Sequence, residues 1–137
     1  MMNNNILNIE DNQTLSFGDF SLNKKTKVDN FEFQGDLYKV KTFEEITKLE
    51  KNGMFIYESL PGTRVTEFSA NEKKMSFRLE GTKVTQITVG LEEQQLYHVV
   101  IDGKSNGEVK TNVSGKLSLS VDLSNGNPIE IKIVKSI

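Results

Sequence analysis

From Met54 onward, apolar residues recur at every second position, and this period constrains the fold more than any other feature of the chain. Leu117, Leu119, Val121 and Leu123 fall on one side, with Ser118, Ser120 and Asp122 on the other. Ile129, Ile131 and Ile133 oppose Glu130 and Lys132, and Met75, Phe77 and Leu79 oppose Ser76, Arg78 and Glu80. A period of two belongs to a strand with one buried and one wet face. Strands are predicted at 54–58, 65–69, 74–80, 84–90, 96–102, 107–112, 116–123 and 129–134. Turn-forming clusters separate them, among them Pro61-Gly62-Thr63, Asp102-Gly103 and Ser124-Asn125-Gly126-Asn127-Pro128. Short strands at a spacing of about 8–12 residues predict a sandwich or barrel with antiparallel sheets, and the fold class expected is an antiparallel β-sandwich, Ig-like or jelly-roll-like. Leu96–Ile101 is apolar on both faces, which predicts a central strand.

The first 53 residues read differently. Residues 1–13 are Asn-rich, with Ile6, Leu7 and Ile9 able to supply one short strand. Leu15 and Phe17 alternate with polar neighbours, as do Phe31 and Phe33. Gly35-Asp36 signals a turn, and Leu37–Lys41 a strand. Residues 43–51 predict the one short α-helix. Thr42 and Glu45 form a capping box, and Phe43, Ile46 and Leu49 share a face. Lys48 and Lys51 sit in the last turn, and Asn52-Gly53 ends it. The expected organisation is a single domain, 1–137, with an N-terminal part (1–53) packed on a 54–137 sandwich.

Composition removes several classes of function. There is no Cys, so disulfides, thiol catalysis and Cys-ligated metal are excluded. The net charge of −2 argues against nucleic-acid and anionic-membrane partners. Only Arg64 and Arg78 are arginines, so bidentate carboxylate or phosphate sites are scarce. No apolar stretch approaches the roughly 20 residues of a membrane span. The N-terminus shows no basic and apolar leader pattern, so a cytoplasmic location is expected.

No catalytic motif stands out, so no enzyme activity, cofactor or metal is expected. Gly-x-Ser-x-Gly, a phosphate loop and His-Glu-x-x-His are all missing. His98 is the only histidine and lies mid-strand. Asp102, Ser105 and Asn106, or Asp122, Asn125 and Asn127, could supply calcium oxygens, but neither set has EF-hand spacing. Tyr57, Tyr97 and His98 are the candidate ligand-contacting side chains, since an aromatic face can stack on a sugar. Phe20, Phe31 and Phe33 lie in a polar segment and are the candidate subunit interface.

Two stretches carry a resemblance. The first runs Gly35-Asp36-Leu37-Tyr38-Lys39-Val40-Lys41-Thr42-Phe43, through Glu45–Phe55, to Tyr57-Glu58-Ser59 and Pro61-Gly62-Thr63. The second comprises Tyr97, Ile101-Asp102-Gly103, Gly107, Lys110-Thr111-Asn112 and Gly115–Val121. Together they resemble a family of small bacterial proteins of about this length that carry the label endosialidase. The stretch Tyr97–Val121 is similar to accessory β-sandwich modules of polysaccharide-degrading enzymes. The resemblance implies a sandwich fold and, through the accessory modules, a glycan as a partner. It does not bring sialidase chemistry. Sialidases hold a carboxylate with three arginines and repeat a Trp-containing Asp box, whereas this chain has two arginines and no Trp.

Three functions follow as expectations. The leading one is a non-catalytic structural or interaction protein that forms a homo-oligomer. The alternatives are a carbohydrate-binding module and a glycoside-active enzyme with two carboxylates flanking a cleft.

Overall fold

The computed structural model describes residues 6–136, and among these all regular structure is β. Strands β1 (Leu7–Ile9), β2 (Leu15–Phe17), β7 (Arg64–Ala70), β8 (Lys74–Glu80), β10 (Leu96–Ile101), β11 (Lys104–Lys110) and β13 (Ile129–Lys135) form one sheet. Its order is β1-β2-β7-β8-β13-β10-β11. Strands β3 (Thr26–Phe33), β4 (Asp36–Phe43), β5 (Ile46–Lys51), β6 (Met54–Leu60), β9 (Val84–Gly90) and β12 (Lys116–Asp122) form the other. Its order is β12-β9-β6-β5-β4-β3. Every pairing is antiparallel. The chain is therefore a two-sheet β-sandwich, and the residues placed inside by period two are buried there, Ile129 only partly. Met75, Phe77, Leu79, Ile131 and Ile133 are at most 2% exposed. Strand β10 is not central as its two apolar faces suggest: it pairs with β13 and with the edge strand β11, and Leu96 on its outer face is 39% exposed.

An aromatic cluster ties the sheets together. Phe17 meets Tyr57 edge-on at 5.4 Å and Phe68 at 5.5 Å, and Tyr57 meets Phe77 at 5.6 Å. Phe17, Phe68 and Phe77 come from the seven-stranded sheet and Tyr57 from the six-stranded one. Such edge-to-face pairs add about 0.5–1.5 kcal/mol each beyond the area they bury.

The predicted helix at 43–51 is not present. Residues 46–51 are β5, paired with β4 on one side and β6 on the other. Phe43 pairs with Ile46, so Glu44-Glu45 is a tight two-residue hairpin loop. Thr42 caps no helix. Its hydroxyl accepts from the Asp19 N–H at 2.9 Å and bonds the Thr47 hydroxyl at 2.7 Å. Asn52 and Gly53 both have positive φ, 52° and 78°, which makes them a type I′ hairpin turn. A nine-residue helix is marginal alone, whereas as β5 the segment gains a ladder on each side, with one register shift against β6 between Leu49 and Glu50.

Nor is the N-terminal part an addition laid on a sandwich. Strands β3, β4 and β5 are three of the six strands of one sheet. The two connections that cross between the sheets here are locked by a buried hydroxyl network. The Thr47 hydroxyl donates to Thr63 O at 2.9 Å and accepts from Thr63 N–H at 3.0 Å. The Thr63 hydroxyl in turn bonds Tyr57 at 2.7 Å and Ser59 at 2.8 Å. Thr42, Thr47, Ser59 and Thr63 are all fully buried, so each bond replaces one that water would have made.

Candidate functional site

The residues singled out from the sequence do not come together. Tyr57 is fully buried with its hydroxyl in the network above, and burial pushes its pKa well above the usual tyrosine range. Tyr97 is 3% exposed, and its hydroxyl accepts from the Glu92 N–H at 3.1 Å. Neither presents a ring to solvent, so neither can stack on a sugar. His98 is half-buried on β10, with Nε2 3.2 Å from the Ser105 hydroxyl.

The proposed aromatic interface is also divided. Phe33 is buried against Tyr38, with ring centres 6.0 Å apart, and Phe31 packs half-buried on the core. Phe20 lies at the opposite end of the sandwich, beside Pro61 and Gly62 in a cavity of about 340 Å³. A bulge between Val28 and Phe31 turns both β3 phenylalanines toward the core, which simple alternation does not reveal.

The calcium candidates are turn-builders. Asp102 Oδ1 accepts from the Glu130 N–H at 2.8 Å, and Asp122 Oδ1 accepts from the Ser124 N–H at 2.9 Å. Among the described residues no three His, Cys, Asp or Glu side chains are grouped to hold a metal ion.

What the fold does assemble is a basic surface. On the outer face of the six-stranded sheet, Lys27 pairs with Lys41 and Lys41 with Lys48, so three lysines stand in one row across β3, β4 and β5. Neighbouring strands are about 4.7–4.9 Å apart, so the row is a ladder of like charges. Lys39 lies one step along β4, opposite Glu50. Lys27, Lys39, Lys41, Lys48 and Glu50 line a groove of about 70 Å³. Lys25 reaches the same area, with its ammonium 5.8 Å from the centre of the Phe43 ring.

Acids compensate only part of this charge. Lys48 and Glu50 form an ion pair at 3.6 Å, and Glu58 stands opposite Lys48 on β6. Lys41 is held below the usual lysine pKa, first by partial burial and then by Lys25, Lys48 and Lys27, with Glu58 acting the other way. Cross-strand like charges are destabilising, so the row is maintained against a folding cost. Beyond Glu58 the same row continues with Thr88 and Ser118, whose hydroxyls bond at 2.9 Å. The face thus runs from cationic on β3–β5 to hydroxyl-bearing on β9 and β12.

This surface was missed in the sequence because it depends on β5. With Lys48 placed in the last turn of a helix, no row exists. The available signal was the alternation of Thr47 and Leu49 against Lys48 and Glu50. Comparison with protein-family models, with characterised proteins and with solved structures finds no match to this chain.

Proposed function

We propose that this chain is a non-catalytic interaction module whose outer six-stranded face binds an acidic polysaccharide. The observation that carries the proposal is the in-register row Lys27–Lys41–Lys48. A row of like charges that weakens its own sheet gains its purpose from an anion that spans it.

Two features favour an acidic glycan over nucleic acid. The chain as a whole is acidic, with a net charge of −2, which opposes nucleic acid outside the patch. The row also continues into the hydroxyls of Thr88 and Ser118, which suit the neutral parts of a sugar chain.

The test is calorimetric titration with polygalacturonate at low salt, using neutral galactan as the control. Binding is expected to polygalacturonate alone, to weaken as salt rises, and to fall at least tenfold in the triple variant Lys27→Gln, Lys41→Gln, Lys48→Gln. Equal binding by that variant, or no binding by the unaltered protein, overturns the proposal.

A further inference from the structure

Among the described residues the sandwich has four edge strands, β1, β11, β12 and β3, and they are not alike. Strand β1 has three residues, which is too short to template much. Strand β3 is broken by a bulge, with Asn30 at a φ of 54°. Strand β11 has a register shift against β10, and Gly107 within it has a φ of 85°. These are devices that keep an edge from pairing with another chain. Strand β12 has none of them. Its seven residues pair with β9 in unbroken register, and it contains no proline.

The free side of β12 can be identified from its hydrogen bonds. Leu91 N–H donates to Gly115 O, and Leu123 N–H donates to Lys83 O. The odd-numbered residues therefore direct their backbone groups at β9. By the alternation of an antiparallel ladder, those of Ser118 and Ser120 point away from the sheet.

We propose that β12 pairs antiparallel with β12 of a second copy, about a two-fold axis through Leu119. In that register Leu119 faces Leu119, and Ser118 faces Ser120. Leu117 faces Val121, and Lys116 faces Asp122. The two serine pairs join residues whose N–H and C=O groups both point outward, as a hydrogen-bonded pair requires. The end pairs are of opposite charge, Lys116 against Asp122, and the Asp122 carboxylate is positioned by bonds from the Ser124 N–H and hydroxyl. The apolar residues on the inner face match as well. Leu119 and Val121 are 9% and 6% exposed, more than Leu117 at 2%, and the matching residues of a second copy complete their cover. The pairing is isologous and closes at two chains, so it gives a dimer and not a fibre. It joins two six-stranded sheets into one and places both lysine rows on a single outer surface.

The proposal stands independently of the glycan, and charge reversal tests it by light scattering over a range of concentrations. The unaltered protein is expected to shift from one chain toward two as concentration rises. Lys116→Glu is expected to weaken the dimer about tenfold or more, because each copy then sets acid against acid twice over. Lys116→Glu combined with Asp122→Lys is expected to restore it. Ser118→Pro keeps the β9 ladder, since the Ser118 N–H points outward, and is expected to abolish the dimer. A monomer at every concentration overturns the proposal. So does a dimer that survives Ser118→Pro in a protein with an unchanged circular dichroism spectrum.

Discussion

Lys41 stands directly opposite Lys48 across the β4–β5 ladder, and Lys27 flanks Lys41 on its other side. An isolated sheet gains nothing from that arrangement. Lys41→Gln is therefore expected to raise stability by about 0.2–1 kcal/mol, read from urea midpoints, while reducing polygalacturonate affinity. A variant that is more stable and binds less well separates a functional residue from a structural one.

Lys41 also gives a titration test. Its pKa is lowered in the folded chain by burial and by Lys25, Lys48 and Lys27. A lysine with a depressed folded pKa is charged at a cost in the native state. Its unfavourable contribution is present at neutral pH and is relieved as pH rises through the folded value toward the ordinary 10.5. An anion on the row favours the charged form. Lysine-selective NMR is expected to find Lys41 titrating below its ordinary value in the free protein and moving upward when polygalacturonate is added.

The hydroxyl network predicts where the fold is most easily broken. Thr63→Val leaves the hydroxyls of Tyr57 and Ser59 without their shared partner, and an orphaned buried group costs about 1–3 kcal/mol. A loss of roughly 2–5 kcal/mol is expected in urea unfolding. Gly62→Ala is expected to cost about 3 kcal/mol or more, since its Cβ would lie 2.0 Å from Phe43 O. By contrast, Ser16 Oγ is buried with no hydrogen-bond partner among the described residues, so Ser16→Ala is expected to be neutral or stabilising.

Acid sensitivity follows from two surface turns. Asp36 is held below its ordinary 3.8 by the Asn52 side chain and by Lys51, and Asp122 by its bonds to Ser124. A depressed carboxylate pKa stabilises the fold above the unfolded value and loses that contribution as pH falls through the folded value. Urea midpoints are expected to decline below about pH 4, and less steeply in Asp36→Asn.

The sandwich was legible because its core obeys a period of two over most of the chain. Strands 74–80 and 84–90 fall where that period places them. The segment 43–51 was not legible, because Phe43, Ile46 and Leu49 fit a helical face as well as a strand. The deciding facts there are non-local. They are the Thr42–Thr47–Thr63 bonds and the two flanking ladders. Asn52-Gly53 carried the local hint, since that pair is as much a hairpin turn as a helix stop. The lysine row could not appear until β5 was a strand in register, because only the two hairpin registers bring Lys27, Lys41 and Lys48 side by side. The bulge in β3 likewise concealed that Phe31 and Phe33 point inward.

The most direct measurement is a map of backbone amide NMR shifts during titration with polygalacturonate. The expected result is a cluster of shifts on the outer face at Lys27, Lys39, Lys41, Lys48, Glu50 and Glu58, spreading toward Thr88. Shifts confined to the seven-stranded sheet, or none at all at low salt, would contradict the account.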